Sequence, residues 1–140
     1  MVYHFKVHEE DNGYWAECLE LPECATEGDS LEELKKNARE ALNLFLEEPE
    51  ESPVTFSLPR EYSGADVVDI PVDPHIALSV LLRRYRQDNR FTQQEVAEKL
   101  GMKNLYSYQR LERRSNPRLE TLRKLKRVFP DLSVDYVLKD

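Results

Sequence analysis

Hydrophobic and polar positions alternate along the start of the chain with a period of two. In residues 2–8, aromatic and aliphatic side chains alternate with histidine and lysine, and the alternation returns over residues 14–21. Between them lies Asp11-Asn12-Gly13, whose Asn and Gly tolerate the positive φ angles of a tight turn. Because a period of two is that of a half-buried strand, the pattern predicts a β-hairpin. A short third strand is expected near residues 24–26.

The period changes to that of a helix at Ser30. Ser30 and Glu33 have the spacing of a capping box, in which each side chain accepts a hydrogen bond from the other residue's backbone. The apolar stripe that follows consists of Leu31, Leu34, Ala38, Ala41, Leu42 and Phe45. Pro49 is expected to end the helix, and residues 67–72 predict a further strand of the same sheet. Residues 1–72 are therefore predicted to form a β-β-(β)-α-β domain.

From residue 73 onward the pattern predicts helices only. A second capping box, Thr92 with Glu95, opens a short helix that Gly101 ends, and Asn104 is expected to cap the next helix. A further helix is expected to begin at Asn116-Pro117 and to carry Leu119, Leu122, Leu125 and Val128. A last short turn is expected to hold Val134, Val137 and Leu138. The fold class is thus α+β, with residues 73–140 forming an all-α second domain.

The charge of the chain divides at the same place. The net charge is −7, which by itself argues against a nucleic-acid partner. Residues 1–70, however, hold 5 Lys and Arg against 18 Asp and Glu, whereas residues 71–140 hold 15 against 9. Between Lys103 and Arg127 there are nine basic residues and two acidic ones. The asymmetry indicates two domains with different partners, the second of them suited to DNA.

Two short helices separated by Gly101 and a tight turn have the sequence form of a helix-turn-helix. The stretches Thr92–Gly101, Gln109–Arg113 and Asn116–Leu122 follow one another as in the DNA-binding domains of the phage repressor and Cro type, which residues 80–138 resemble. The turn is one residue longer than is usual for that family. With Asn104 as the cap, the recognition helix is expected to span Leu105–Arg113.

The predicted DNA-binding residues lie around the start of this recognition helix. They are Gln93, Asn104, Tyr106, Ser107, Gln109 and Arg110. Side chains near the N-terminus of a recognition helix reach base edges in the major groove. Arg110 is suited to guanine and Gln109 to adenine. The family resemblance places Gln93, which follows the helix-opening Thr92, against the phosphate backbone.

The first domain resembles another family. Its stretch Gly13-Tyr14-Trp15-Ala16-Glu17-Cys18, followed by Leu21-Pro22-Glu23-Cys24-Ala25-Thr26-Glu27-Gly28-Asp29-Ser30, is similar to the signature of HicB antitoxins. Leu19 and Glu23 depart from that signature, since proline and glycine are common there. Members of the family commonly carry a C-terminal DNA-binding domain, so the two resemblances support each other.

The HicB resemblance implies a partial ribonuclease-H-like fold that binds a toxin. The implied partner is a small, basic mRNA interferase of the HicA type, which an acidic domain would attract and mask. Tyr14, Trp15 and Glu17 are the expected toxin-binding residues. The second domain is expected to repress the chain's own operon by binding double-stranded operator DNA, as a homodimer or a higher even-numbered oligomer. No catalytic residue is assigned.

Neither the histidines nor the cysteines indicate a cofactor. His4 and His8 share a strand face with Lys6, which argues against a metal site, and Cys18 and Cys24 are too few for a disulfide framework. No cofactor and no metal are expected. No apolar run has the length of a membrane span and the N-terminus lacks a signal-peptide layout, so a cytoplasmic protein is expected. Two alternatives stay open: a metal-dependent nuclease of ribonuclease-H-like fold, and a ligand-sensing transcription regulator.

Overall fold

The computed structural model describes residues 1–47, 54–114 and 116–140, and within them the chain divides into two compact units. The first unit contains Met1–Glu47, Phe56–Asp73 and Leu138–Asp140, and the second consists mainly of Pro74–Val137. The predicted helix end at Pro49 lies outside the described residues.

The first unit is an antiparallel sheet with one helix. Its elements are β1 (Val2–Glu10), β2 (Gly13–Cys18), β3 (Ala25–Gly28), α1 (Leu31–Leu46) and β4 (Val67–Pro71). The strands lie in the order β3-β2-β1-β4, each antiparallel to its neighbour. This confirms the α+β class and the predicted order of elements. The second strand ends at Cys18 rather than Leu21, and the third extends to Gly28.

The sheet has a buried face and a more open face. Tyr3, Phe5, Ala16 and Cys18 belong to the buried face and are fully shielded from solvent. Gly28 in β3 shows how closely helix α1 approaches the sheet, because a Cβ added there would lie 2.6 Å from the backbone nitrogen of Leu34. No side chain fits at that distance.

Helix α1 begins as predicted but buries a narrower stripe. The Ser30 side chain accepts a hydrogen bond from the Glu33 N–H at 3.1 Å, while the Glu33 carboxylate accepts from Asp29 N at 3.4 Å rather than from Ser30. The buried residues follow a strict four-residue spacing: Leu34, Ala38, Leu42 and Leu46. Leu31, expected inward, is 45% exposed because the first turn of the helix extends past the buried stripe.

The second unit is helical throughout. Its elements are α2 (Pro74–Asp88), α3 (Gln93–Lys99), α4 (Leu105–Arg114), α5 (Leu119–Val128) and α6 (Val134–Leu138). Helix α2 packs against α4, where the Ser79 hydroxyl donates a hydrogen bond to the Leu111 carbonyl at 3.2 Å. Val96, Ala97 and Leu100 are buried as predicted.

Helix α5 departs from the predicted apolar stripe. Leu125 is fully buried, whereas Leu119 is 84% exposed. The reason is geometric: at about 100° per residue, six positions place Leu119 roughly 120° around the helix from Leu125. In the last helix Val137 is buried, whereas Val134 and Leu138 are exposed.

Candidate DNA-binding helix and partner-binding face

The helix-turn-helix is held by the caps that the sequence predicted. Thr92 and Glu95 form a complete capping box at the start of α3. Gly101 has a φ of +69°, a left-handed conformation that glycine adopts without strain. The Asn104 side-chain oxygen Oδ1 accepts a hydrogen bond from Ser107 N at 2.9 Å and so caps α4, which begins at Leu105. The longer turn is therefore accommodated without shifting the predicted start of the recognition helix.

A buried carboxylate joins three helices behind the recognition helix. Glu112 of α4 accepts hydrogen bonds from Arg86 Nε at 2.5 Å, from the Tyr108 hydroxyl at 2.7 Å and from Gln93 Nε2 at 2.9 Å. The Glu112 side chain is 1% exposed and that of Arg86 is 14% exposed. Burial, together with the adjacent Glu112 carboxylate, raises the pKa of Tyr108, so its hydroxyl stays protonated and donates. This network fixes the orientation of α4 against α2 and α3.

This network is not predicted by the sequence pattern. Arg86 has no role in that pattern, and Glu112 belongs to it only as part of the stretch Gln109–Arg113 that resembles the family. The one local signal is the four-residue spacing of Tyr108 and Glu112, which places both side chains on one side of α4. Arg86 lies 26 residues before Glu112, so their contact depends on how the helices pack.

Two of the predicted DNA-binding residues stand out from the recognition helix. Tyr106 is 58% exposed and Arg110 is exposed one turn further along. The Arg110 guanidinium lies 5.8 Å from the centre of the Tyr106 ring, a cation–π distance. The structure thus brings these two side chains together on the exposed side of α4.

The other predicted residues are already engaged within the protein. Gln109 is half-buried, and its Nε2 donates a hydrogen bond to Gln93 Oε1 at 3.2 Å. Since Gln93 also donates to Glu112, a chain of bonds runs from the buried network to the surface. Asn104 and Ser107 bond to each other, which makes them cap residues in this structure.

The surface around α4 and α5 is strongly basic. Its exposed basic residues are Lys103, Arg110, Arg113, Arg118, Arg123, Lys124, Lys126 and Arg127. A surface of this sign attracts the phosphate backbone of nucleic acid. The net charge of the chain hides it, because the acidic residues are concentrated in the other unit.

The predicted toxin-binding residues fall on both faces of the first unit's sheet. Trp15 and Glu17 lie opposite His8 and Lys6 on the more open face. There the His8 ring stacks on Trp15 with centroids 4.0 Å apart, and His8 Nε2 lies 3.3 Å from Glu17 Oε1. Tyr14 belongs to the other face, as strand alternation requires.

Tyr14 and Trp15 nevertheless line one groove. It lies at the hairpin tip, β3 and the start of α1, with a volume of about 740 Å³. In the described part of the chain, no basic side chain lines it. Five carboxylates do, those of Glu10, Asp11, Glu27, Asp29 and Glu33. The groove is therefore an acidic surface with two aromatic side chains at its edge.

Several polar groups of the first unit have structural partners. The Glu20 carboxylate is buried and accepts hydrogen bonds from His4 N, from Arg60 N and, at 2.8 Å, pairs with His4 Nδ1. It thereby ties the segment before β4 to β1. Burial raises the pKa of Cys18 to about 12 and that of Cys24 to about 11, so both thiols are protonated at neutral pH.

Among residues 1–47, 54–114 and 116–140, no three His, Cys, Asp or Glu side chains are arranged to hold a metal ion. Within the same ranges, none of the helices is long and apolar enough to cross a membrane.

Comparison with known proteins agrees with this geometry. A family model described as helix-turn-helix matches residues 82–137, so the second unit is a helix-turn-helix domain of the Cro/C1 type. Antitoxin HicB 1 of Photorhabdus laumondii is 28% identical to the chain over 120 residues, which cover 83% of this chain and 73% of that relative. The predicted resemblance is thereby confirmed: the chain is similar to a HicB antitoxin and carries a C-terminal helix-turn-helix domain of the DNA-binding type.

Proposed function

We propose that this protein is a non-enzymatic antitoxin that masks a HicA-type mRNA interferase with its first unit and represses its own operon with its second. The observation that carries the proposal is the pairing of an acidic α+β unit with a basic helix-turn-helix in one chain. A basic toxin and polyanionic DNA require surfaces of opposite sign, and each unit supplies one of them.

For the DNA-binding function, Arg110 and Gln109 are assigned to base edges. Arg110 is exposed on α4 and carries the fork of donors that guanine accepts, while Gln109 can present its amide to adenine. The bond from Gln109 to Gln93 supports this role, because it limits the orientations of the Gln109 amide before DNA arrives. Gln93 is assigned to positioning, and the surrounding basic residues to phosphates.

The test is binding of the full-length protein to the DNA segment upstream of its own reading frame. Arg110→Ala should weaken specific binding by about 5- to 150-fold while changing binding to unrelated DNA little. Lys35→Ala, which removes an exposed charge from α1, is the matched control and should leave both affinities unchanged. Equal affinity of the Arg110→Ala variant for the upstream segment would contradict the assignment.

For the toxin-binding function, the aromatic edge of the acidic groove is assigned to the interface. Trp15 and Tyr14 offer large, partly exposed rings beside five carboxylates, which suits a basic partner with an apolar contact at its centre. Glu17 lies beside Trp15 on the open sheet face and adds a carboxylate that a basic side chain can reach.

The corresponding test is rescue of cells that express the basic toxin from a neighbouring reading frame. Trp15→Ala and Glu17→Lys should lose rescue, whereas Glu32→Lys makes the same charge change on an exposed position of α1 and should retain it. Arg110→Ala should neutralise the toxin normally, which separates the two functions. Magnesium-dependent RNA cleavage by the purified chain, lost on carboxylate substitution, would contradict the non-enzymatic assignment.

A further inference from the structure

Tyr106 and Arg110 form an aromatic–cation pair on the exposed side of the recognition helix. They lie four residues apart, a spacing that places two side chains on the same side of a helix. The Arg110 guanidinium carbon lies over the Tyr106 ring, 5.8 Å from its centre, and Tyr106 is 58% exposed. The pair therefore presents a ring and a guanidinium together to the ligand of this helix.

The Tyr106 ring limits where the guanidinium of Arg110 lies. An arginine side chain has many rotamers, and two-pronged binding to a guanine uses few of them. The contact with the ring favours those rotamers that keep the guanidinium beside Tyr106. Tyr106 is thus a positioning residue for Arg110 before DNA arrives.

The same contact determines which base pair the ring meets. A guanidinium that donates to O6 and N7 of guanine lies near the plane of that base pair, with its donor edge used by the base. The ring lies over the face of the guanidinium instead. Because successive bases of a strand are about 3.4 Å apart, a ring on that face lies beside the neighbouring base pair.

The chemistry of the ring indicates which neighbouring base it fits. In the major groove, thymine presents a 5-methyl group, whereas the edges of the other bases present hydrogen-bond donors and acceptors. A tyrosine ring gains free energy when it covers a methyl group. It loses free energy when it covers a polar group that it leaves without a hydrogen bond. The neighbouring base pair should therefore contain thymine with its methyl group toward the ring.

We propose that Tyr106 and Arg110 read a two-base step as one unit, in which Arg110 binds a guanine and Tyr106 packs on the methyl group of a thymine in the adjacent base pair. The proposal rests on the proposed operator binding and names a sequence element that the operator contains. Tyr106 has two roles in it, since its ring positions the guanidinium and also selects the neighbouring base.

The first experiment selects binding sites for the full-length protein from a library of random double-stranded DNA. The wild type should enrich sites in which a guanine lies next to a thymine. Tyr106→Ala should lose the preference for thymine and keep a weaker one for guanine. Tyr106→Phe should keep both preferences, because it retains the ring. Tyr62→Ala removes a partly exposed tyrosine of the first unit and is the matched control, which should select the wild-type sites.

The second experiment removes only the methyl group from the DNA. Replacing the thymine of the selected site with deoxyuracil should weaken wild-type binding by about fourfold, the effect of one buried carbon-sized group. Tyr106→Ala should bind the two sites equally, and a purely structural role of the tyrosine would not change this ratio. Since Tyr106 is exposed, its variants should keep the wild-type circular dichroism. Equal binding of both sites by the wild type, or the same fourfold loss in Tyr106→Ala, would overturn the proposal.

Failure of operator binding has a different result. A wild type that enriches no sequence would contradict both the proposed repression and the reading of this step. A wild type that enriches a sequence without an adjacent guanine and thymine would leave specific DNA binding in place and overturn the two-base reading alone.

Discussion

The Glu112 network makes a quantitative prediction about the stability of the helix-turn-helix unit. Glu112→Ala would leave the Arg86 guanidinium, whose side chain is 14% exposed, without its counter-charge. It would also remove the acceptor of the Tyr108 hydroxyl and of the Gln93 amide. Breaking a buried pair from one side costs about 3–5 kcal/mol, because the remaining charge is desolvated without compensation.

This loss is large compared with the stability of so small a unit. A unit of about 65 residues has a free energy of unfolding of roughly 3–10 kcal/mol. Glu112→Ala should therefore unfold the helix-turn-helix or lower its urea midpoint by about 3 M, given a slope near 1 kcal/mol/M. Glu112→Gln keeps an acceptor for Tyr108 and removes the charge, so it should cost less and still permit a measured midpoint.

The assay can observe the two units separately. Trp15 is the one tryptophan of the chain and lies in the first unit, so its fluorescence follows that unit. Of the six helices in the described part of the chain, five belong mainly to the second unit, so circular dichroism at 222 nm follows that unit. Glu112→Ala should shift the dichroism transition and leave the fluorescence transition in place.

A matched control variant defines the result that would refute the predicted role of Glu112. Glu98→Ala removes an exposed carboxylate of α3 that accepts one hydrogen bond from Gln94, and should cost less than about 0.5 kcal/mol. Arg86→Ala combined with Glu112→Ala should cost less than the sum of the single changes, because the two residues interact directly. If Glu112→Ala lowered stability no more than Glu98→Ala, the network would not hold the unit together.

Three further predictions concern local structure. Gly28→Ala should destabilise the first unit by about 1–3 kcal/mol in the fluorescence transition, because its Cβ would press on the backbone of Leu34; unchanged stability would contradict the close helix–sheet approach. Asn104→Ala should cost the second unit about 0.5–2 kcal/mol, and Asn104→Asp should recover most of it, since aspartate also caps; equal losses would argue against a capping role. Cys18 and Cys24 should resist a thiol reagent at pH 8 until urea is added. Because their pKa values are raised to about 12 and 11, the stability that they contribute is complete below the unfolded thiol pKa, near 8.5, and is lost as the pH rises toward 11–12. The urea midpoint of the first unit should therefore fall more steeply above pH 9 than in a variant with both cysteines replaced by alanine.

Most of the local structure could be predicted from spacing along the chain. The hairpin, the Thr92–Glu95 box and the Asn104 cap follow from residues that lie within a few positions of one another. The inward side chains of α3 follow in the same way, since Val96, Ala97 and Leu100 lie within five positions and are all buried. The predicted apolar stripe of α5 was wrong, because Leu119 lies six positions before the buried Leu125 and is 84% exposed.

The candidate site likewise has one part that was predicted from the sequence and one part that was not. The sequence predicted which residues belong to the recognition helix, and Tyr106 and Arg110 are indeed exposed on it. It did not predict that Asn104 and Ser107 bond to each other, or that Gln109 bonds to Gln93. These bonds depend on side-chain rotamers and helix packing, which a one-dimensional pattern does not contain.

The two classes of unit, the order of their elements and the division of charge between them can all be predicted from the amino-acid sequence. These properties are encoded locally, in hydrophobic period, cap residues and composition. The tertiary structure alone decided that Glu112 is buried against Arg86, and that Leu119 faces water beside Val134. Both outcomes arise from contacts between residues far apart in the chain. The free energy of each arrangement depends on whether packing removes the charge or the apolar side chain from water or leaves it there.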